Sequence, residues 1–257
     1  MPTSNPILNI VAQGVKTPAL FAMGLGAVLL AIHALIRSLQ ARGSTPTPSS
    51  GPAPVAAQAR KEPSLLSSDP PVEHSAWSKD VLSAIEWRRF EAVVEALFAQ
   101  AGFETRSQSH GADGGVDIWL HSKNASGPVA VVQCKHWQGK PVGVKEMREF
   151  LGVMVSKGLK RGTYATTSRY TADALEFAKV NGINAQDGTG LLKLIAQRTP
   201  EQQARLLEVA YEGEYWKPTC ASCGVKMTER ESRKDGSRFW GCVNYPRCKR
   251  TLVMRAG

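Results

Sequence analysis

Cysteine, aromatic residues and long apolar runs are all scarce in this chain. Only 7% of its 257 residues are aromatic, and four of its five cysteines fall between positions 220 and 248. The chain therefore lacks the dispersed cysteines of a small secreted protein held together by disulfides. Its 23 glycines and 15 prolines are too few for a collagen-like chain, and a hydrophobic content of 42% is too high for a wholly disordered one. We expect globular domains in part of the chain.

Acidic residues are scarce at the C-terminal end. Residues 217–257 carry 10 Lys or Arg but only 3 Asp or Glu, so this end holds +7 of the formal net charge of +10. A basic excess confined to one end predicts a polyanionic partner for that end, and does not describe a uniformly basic protein.

One long apolar run stands apart from the rest of the sequence. Residues 19–36 contain no Asp, Glu, Lys or Arg, and as a helix they would extend roughly 27 Å, close to the hydrocarbon thickness of a bilayer. We interpret them as a single-pass transmembrane helix after an N-terminal segment, 1–18; a cleaved signal peptide and a buried helix are the alternatives. Arg37 and Arg42 outweigh Lys16, which predicts an inner (cytoplasmic) membrane protein with the rest of the chain in the cytoplasm.

A change of composition and then of periodicity follows the apolar run. Residues 37–75 are rich in Pro, Ser and Ala and cannot bury a core, so we interpret them as a linker. Apolar residues then recur at helical spacing over 87–101, and the runs 116–120 and 129–137 are typical of a hairpin. Further helices are expected near 143–156, 171–180 and 189–197, and further strands near 161–167 and 183–186. This order predicts an α/β domain over 76–200, with a mixed central sheet flanked by helices.

Four polar side chains in this domain are candidates for catalysis. Gln133 and Lys135 alternate on one face of the predicted strand 129–137, where an amide and a lysine are costly to bury without a function. Asp117 follows a run of turn-forming residues, and Glu91 borders the apolar stripe of the first helix. Taken singly, Asp117 could cap a turn and Lys135 could extend from a sheet edge. The ordered set of four favours a site.

These residue types suit phosphodiester hydrolysis. The reaction needs a divalent cation to neutralise charge and position water, and an ammonium group beside the attacking water or the phosphate. Mg²⁺, or Mn²⁺ in its place, could take oxygen ligands from Asp117 and Glu91, with the amide oxygen of Gln133 as a further ligand. Lys135 offers a compact positive charge on a flexible stem.

The order of these residues resembles a known nuclease family. The matching positions are Phe90-Glu91, Gly102-Phe103, Asp113 to Asp117, Gln133-Cys134-Lys135, Val142-Gly143 and Thr166-Thr167-Ser168. Together, over roughly residues 80–198, they resemble the Mrr-type restriction endonuclease domain of the PD-(D/E)xK nucleases. The resemblance implies a restriction-endonuclease-like core in which Asp117, Gln133 and Lys135 are catalytic and Glu91 is the helical acid. Gln133 replaces the acid of the wider superfamily, as in the Mrr branch.

Two hydroxyl residues and a connecting segment follow the catalytic set. Thr167 and Ser168 precede the predicted helix 171–180, where they could bind a DNA phosphate or cap the helix, and we leave both roles open. A short helix over 201–216 is expected to connect the α/β domain to the basic C-terminal segment.

The cysteine pairs Cys220/Cys223 and Cys242/Cys248 have the spacing of a zinc ribbon. Two close pairs of thiolates can complete a tetrahedral shell around a structural Zn²⁺, and about 40 residues have too little core to fold without it. Two disulfides are the alternative. We therefore expect a small zinc ribbon over 217–257.

The residues around these cysteines resemble the zinc ribbon of bacterial type IA topoisomerases, which implies binding to single-stranded DNA. Aromatic side chains stack on bases and basic ones contact phosphates. The candidates for DNA contact are Arg238, Trp240, Tyr245 and Arg247. Phe239 or Trp240 could instead form the core of the ribbon.

The sequence thus predicts a membrane-anchored, Mg²⁺-dependent DNA endonuclease of restriction type, with a ribbon that increases DNA affinity. Its expected partners are DNA and, through residues 19–36, the lipid bilayer; oligomerisation is possible but cannot be read from the sequence. The alternatives are a catalytically weak protein that tethers DNA to the membrane, and an RNA or junction nuclease.

Overall fold

A computed structural model describes residues 70–107, 115–137 and 139–254 of the protein. The predicted N-terminal segment 1–18, the transmembrane helix 19–36 and most of the linker lie outside these residues. Within the described part of the chain, no helix combines the length and apolar character that crossing a bilayer requires.

The described elements alternate between helices and strands. The helices are α1 (Lys79–Ala84), α2 (Trp87–Gln100), α3 (Val144–Ser156), α4 (Ala172–Val180), α5 (Gly188–Ala196) and α6 (Pro200–Ala210). The strands are β1 (Glu104–Ser107), β2 (Ile118–His121), β3 (Pro128–Lys135), β4 (Gly162–Thr166), β5 (Ile183–Gln186), β6 (Met227–Glu231), β7 (Arg238–Cys242) and β8 (Thr251–Val253).

Strands β1 to β5 form one mixed sheet in the order β1-β2-β3-β4-β5. Strands β1, β2 and β3 pair antiparallel, whereas β3, β4 and β5 pair parallel. A short loop suffices between β2 and β3, while each parallel pair needs a crossover, here supplied by α3 and α4. The prediction of a mixed α/β sheet is confirmed.

Successive residues of β3 contribute to two different cores. Val132 and Cys134 pack in a cluster with Phe90 and Leu97 of α2, and Val131 packs in a second cluster with residues of α3 and α4. Because side chains alternate along a strand, helices cover both faces of the sheet. Gln133 and Lys135 consequently share the face of β3 that Val131 occupies, and α2 lies on the opposite face.

Three parts of the fold differ from the sequence expectation. The predicted helix 201–216 ends at Ala210, and the next residues form a turn in which Gly213 adopts a φ of +66°. The rings of Tyr211 and Tyr215 pack there, with centroids 4.8 Å apart. Strand β1 and helix α1 were not predicted; β1 is a polar edge strand with mostly exposed residues, so it has no apolar alternation that could reveal it.

A buried carboxylate joins the zinc ribbon segment to the start of α2. The side chain of Glu86 is 3% exposed, and it accepts hydrogen bonds from Thr219 N at 3.1 Å, Thr219 Oγ1 at 3.0 Å and Lys226 Nζ at 3.2 Å. The neighbouring Trp87 Nε1 donates to the carbonyl of Thr219 at 2.8 Å. We call Glu86, Thr219 and Lys226 the Glu86 cluster. A carboxylate this deeply buried is tolerated because several donors satisfy it.

Replacing Glu86 should therefore destabilise the protein much more than replacing a surface acid. We expect Glu86→Ala to lower the free energy of unfolding by about 1–3 kcal/mol, because it leaves buried donors unsatisfied. Glu212 is the matched control: it also pairs across the chain, with Arg89, but its side chain is 72% exposed. Glu212→Ala should cost about 0–1 kcal/mol. Urea unfolding measures both, and equal losses would mean that the Glu86 cluster adds no stability.

Candidate active site and zinc centre

The candidate active site lies where the chain enters β2, beside the last residues of β3. Gly115 has a φ of +84°, and a Cβ atom there would lie 3.2 Å from Oε1 of Gln133 and 3.3 Å from Cγ2 of Val153. A glycine is therefore needed both for the backbone conformation and for the close approach. Two residues later, the backbone N–H of Asp117 donates to the carbonyl of Val132 at 3.0 Å, which fixes Asp117 against β3.

The carboxylate of Asp117 is held by two donors from β3. Its Oδ2 accepts from the backbone N–H of Cys134 at 2.6 Å and from Nε2 of Gln133 at 2.7 Å. Two predicted site residues are thus brought into direct contact. The amide turns its nitrogen, and not its oxygen, toward the carboxylate, so Gln133 orients Asp117.

Lys135 follows two residues later on the same face of β3. It is half-buried, and its Nζ lies 5.0 Å from the centroid of the Trp137 ring. Lys140 approaches the same ring, with its Nζ 4.1 Å from the centroid. Two ammonium groups therefore gather around one aromatic ring just beyond the end of the strand, where cation–π attraction stabilises them.

Glu91 approaches from the other side of the sheet. It lies on α2, one residue after Phe90, whose ring centroid is 5.5 Å from that of His136. Its side chain is 19% exposed and lies 3.8 Å from Nη1 of Arg88. The fold thus places Glu91 near the end of β3, on a different element from the other three predicted catalytic residues.

The pKa of the Cys134 thiol reflects the burial and the negative charges of this region. Burial, and after it the negative charges of Asp117 and Glu91, raise the pKa of its thiol well above the usual range. A thiol held neutral in this way is a core residue and not a nucleophile, as its position on the strand indicates. The charge of Glu95 acts in the same direction. Sequence reasoning missed Glu95, although its spacing of four from Glu91 places both acids on one side of α2.

The hydroxyls of Thr167 and Ser168 bind backbone carbonyls. Thr167 Oγ1 donates to Trp137 O at 3.0 Å, and Ser168 Oγ donates to Lys140 O at 2.6 Å. The cap of α4 is Thr171, whose side chain accepts from the N–H of Ala174. Thr167 and Ser168 therefore do not cap α4 in this structure, and their contact with a DNA phosphate stays a prediction.

The four C-terminal cysteines converge on one point. Their sulfur atoms all lie within 4.8 Å of one another, and those of Cys220 and Cys248 are 3.7 Å apart. Tetrahedral zinc with Zn–S bonds of about 2.3 Å places its sulfurs about 3.8 Å apart, so the four thiols fit this metal. All four are free cysteines in this structure, which favours zinc over the two-disulfide alternative. The cluster supports a structural zinc site.

The four thiols differ in how easily they ionise: burial raises the pKa of Cys242 to about 12, whereas the pKa of Cys220 is lowered. Burial opposes its ionisation, but backbone N–H groups of Ser222 and Cys223 and the neighbouring thiols outweigh this effect and lower the pKa of Cys220 to about 7. Thiolates are the metal-binding form of cysteine.

The predicted DNA-contacting residues of the ribbon differ in exposure. Trp240 is 9% exposed and packs with Met227 and Met254 in the ribbon core, so the core role that the sequence left open is the one the structure supports. Tyr245 is 60% exposed. Arg247 is exposed, and Arg238 is exposed while forming an ion pair with Glu229 at 2.8 Å.

Comparison with known proteins assigns both folded parts of the chain. Residues 82–195 match the Mrr_cat family, described as "Restriction endonuclease", and residues 217–255 match the family described as "Topoisomerase DNA binding C4 zinc finger". The chain carries an Mrr-type restriction endonuclease domain. The resemblance seen in the sequence is confirmed for this Mrr domain and for the zinc ribbon.

Two relatives are similar to the Mrr domain. The chain is 31% identical over 127 residues to the Type IV methyl-directed restriction enzyme EcoKMrr of Escherichia coli K12, which covers 47% of this chain and 41% of that protein. It is 32% identical over 104 residues to the uncharacterized protein y4cE of Sinorhizobium fredii NGR234, covering 39% of this chain and 26% of that protein. The chain thus spans less than half the length of either relative.

Two solved restriction endonucleases are also similar to the chain. The DNA modification-dependent enzyme AspBHI matches with 21% identity and a TM-score of 0.38, over 73% of this chain and 49% of that one. MspJI, in complex with a 27-mer oligonucleotide, matches with 21% identity and a TM-score of 0.37, over 51% of this chain and 33% of that one.

Proposed function

We propose that the chain is a membrane-anchored, divalent-metal-dependent DNA endonuclease of restriction type, whose zinc ribbon increases its affinity for DNA. The observation that carries the proposal is the contact between Asp117 and Gln133, with Lys135 two residues further along the same face of β3, in an Mrr domain. The basic ribbon, with exposed Tyr245 and Arg247, supports nucleic acid as the substrate. The anchor rests on the apolar run 19–36.

The residues of the site divide the chemistry between them. Asp117, Glu91 and the amide oxygen of Gln133 are oxygen donors of the kind that Mg²⁺ or Mn²⁺ binds, and such a cation would neutralise charge and lower the pKa of a bound water. The backbone N–H of Cys134 orients Asp117 whichever way the Gln133 amide is turned. Gln133 must turn its amide to present its oxygen. The ammonium of Lys135 stabilises the charge on the phosphate as the water oxygen bonds to phosphorus and the leaving oxygen departs.

Plasmid cleavage tests the enzymatic proposal. The purified full-length protein should nick or linearise plasmid DNA when Mg²⁺ or Mn²⁺ is present and should not do so with EDTA. Modified and unmodified plasmids should be compared, with single-stranded RNA and branched DNA as competitors. If RNA or branched DNA competes with cleavage more strongly than an equal amount of unlabelled plasmid DNA does, the RNA or junction nuclease is supported instead.

The second candidate is a DNA-tethering protein with weak catalysis. The contact between Gln133 Nε2 and Asp117 Oδ2 favours it, because it turns the amide nitrogen, which cannot bind a cation, toward the carboxylate that would hold one. Tight DNA binding with no cleavage in either metal would support this candidate.

Replacing Gln133 with glutamate distinguishes the two candidates. The variant places a second carboxylate against Asp117, so we expect lower thermal stability without a divalent cation and a larger stabilisation when Mg²⁺ is added. If Gln133 is a metal ligand, the Mg²⁺ concentration for half-maximal cleavage should fall.

The matched control for this change is Gln186→Glu, since Gln186 is also a half-buried amide on the sheet and donates to Asn184 at 2.7 Å. Thermal denaturation with and without Mg²⁺ measures the effect. The same response at both positions would argue against a cation site at Gln133.

Membrane fractionation tests the anchor. The full-length protein should sediment with membranes and resist carbonate extraction, and its C-terminus should be protected from protease added to spheroplasts. Release by carbonate would contradict integral insertion, and cleavage of the C-terminus by external protease would contradict the predicted orientation.

A further inference from the structure

Three consecutive hydroxyl side chains at the end of β4 fasten the loop that follows β3. Thr166 Oγ1 donates to Lys135 O at 2.7 Å, Thr167 Oγ1 to Trp137 O at 3.0 Å, and Ser168 Oγ to Lys140 O at 2.6 Å. We call these three residues the hydroxyl clamp. Each binds a different carbonyl along the same loop, so together they hold the backbone at Lys135, Trp137 and Lys140.

Further hydrogen bonds connect the clamp to the backbone of the loop and of β4. The carbonyl of Lys135 also accepts from Trp137 N at 3.0 Å, and Ser168 N donates to Thr166 Oγ1 at 3.1 Å. Thr166 is fully buried, and its β4 position pairs with Lys135 of β3. A buried hydroxyl that both accepts and donates has a single satisfactory geometry.

The loop held in this way carries the cations of the candidate active site. Lys135 begins it and Lys140 ends it, and both ammonium groups approach the ring of Trp137. Each of these three residues has its carbonyl bound by one clamp hydroxyl. The position of each side chain is thus tied, through its own backbone, to the end of β4.

We propose that Thr166, Thr167 and Ser168 are positioning residues, which act on DNA only through the loop from Lys135 to Lys140. They set where the Lys135 ammonium stands relative to Asp117, and they keep Trp137 and Lys140 beside it. Each hydroxyl has a carbonyl acceptor, and Thr167 Oγ1 also lies 3.1 Å from His136 Nδ1, so we assign the phosphate contact to the loop cations and not to the clamp. This proposal rests on the proposed nuclease function, since it assigns Lys135 to the reacting phosphate.

Substitutions that remove one hydroxyl at a time test the clamp in the full-length protein. In Thr167→Val and Ser168→Ala, the single-turnover cleavage rate at saturating DNA should fall about tenfold or more, because a small displacement of a catalytic group is costly. The dissociation constant for DNA should change by less than about threefold, since the loop cations remain. Thr167→Ser should recover most of the lost rate. Thr171→Val is the control, because its hydroxyl caps α4 and does not bind the loop.

Hydrogen exchange supplies a readout that does not depend on cleavage. Amides of residues 136–142 should exchange faster in Thr167→Val and Ser168→Ala, and should be unchanged in Thr171→Val. An unchanged exchange rate would overturn the clamp. A weaker affinity for DNA with an unchanged cleavage rate would also overturn it, because that result is expected if the hydroxyls bind phosphate. Wild-type protein that never cuts would reject the nuclease proposal, and faster loop exchange in that case would confine the clamp to a structural role.

Discussion

Replacing Lys135 with alanine should lower the cleavage rate by about 10²–10³-fold or more, because in the proposed mechanism its ammonium stabilises the developing charge on the phosphate. Binding of DNA should persist, since the ribbon holds most of the net positive charge of the chain. Single-turnover cleavage at saturating DNA, together with a binding titration without metal, separates the two effects.

The control for this substitution is Lys145→Ala. Lys145 lies on α3, ten residues further along the chain, and its side chain is 83% exposed and pairs with Glu149. Its loss should leave the cleavage rate close to that of the wild type. A Lys135→Ala protein that cuts normally would remove Lys135 from the mechanism and favour the DNA-tethering candidate.

Removing the zinc should unfold the ribbon. Its buried core consists of Met227, Trp240, Met254 and the ligands Cys220 and Cys242, so little apolar area remains without the metal. Binding of structural zinc contributes roughly 10–16 kcal/mol in small zinc domains, which is far more than such a core can supply. We expect one zinc per chain in the wild type, and loss of zinc, of ordered ribbon structure and of DNA affinity in Cys242→Ser.

Cys134→Ser is the matched control for the zinc prediction. Cys134 is also buried, but it lies on β3, outside the four-cysteine cluster. The zinc content of the Cys134→Ser protein should therefore stay at one per chain. The dependence of DNA affinity on salt should become shallower in Cys242→Ser, because fewer phosphates are neutralised. An unchanged affinity and salt dependence would identify the ribbon as a protein-binding module.

The sequence predicts those elements of the fold that have a buried face. Strand β3 is recognisable because apolar residues surround Gln133 and Lys135, and α2 because its apolar residues repeat at helical spacing. Strand β1 has no such signal, because an exposed edge strand needs no alternation. The predicted helix 201–216 was too long: α6 ends at Ala210, and in the turn that follows Tyr215 is buried and Tyr211 is half-buried against the core.

The site was predictable as a set of residues but not as a set of contacts. Spacing places Gln133 and Lys135 on one face, yet it does not show that Gln133 donates to Asp117 or that α2 brings Glu91 from the opposite face. The hydroxyl clamp could not be predicted from the sequence either, because its hydrogen bonds join the end of β4 to a loop about 30 residues earlier in the chain. Long-range hydrogen bonds of this kind leave no local periodicity.

The Glu86 cluster has a consequence for mechanical tension. The last residues of the linker are bound nearby, with Tyr215 Oη donating to the carbonyl of Pro71 and His74 N donating to Tyr211 Oη. The carbonyl of Tyr215 in turn accepts from Glu86 N at 2.7 Å. A pull along the linker would therefore enter the protein at the joint between the Mrr domain and the ribbon. In a chain anchored as proposed, the strain would fall first on that joint, and less on β2 and β3, at whose ends Asp117 and Lys135 lie.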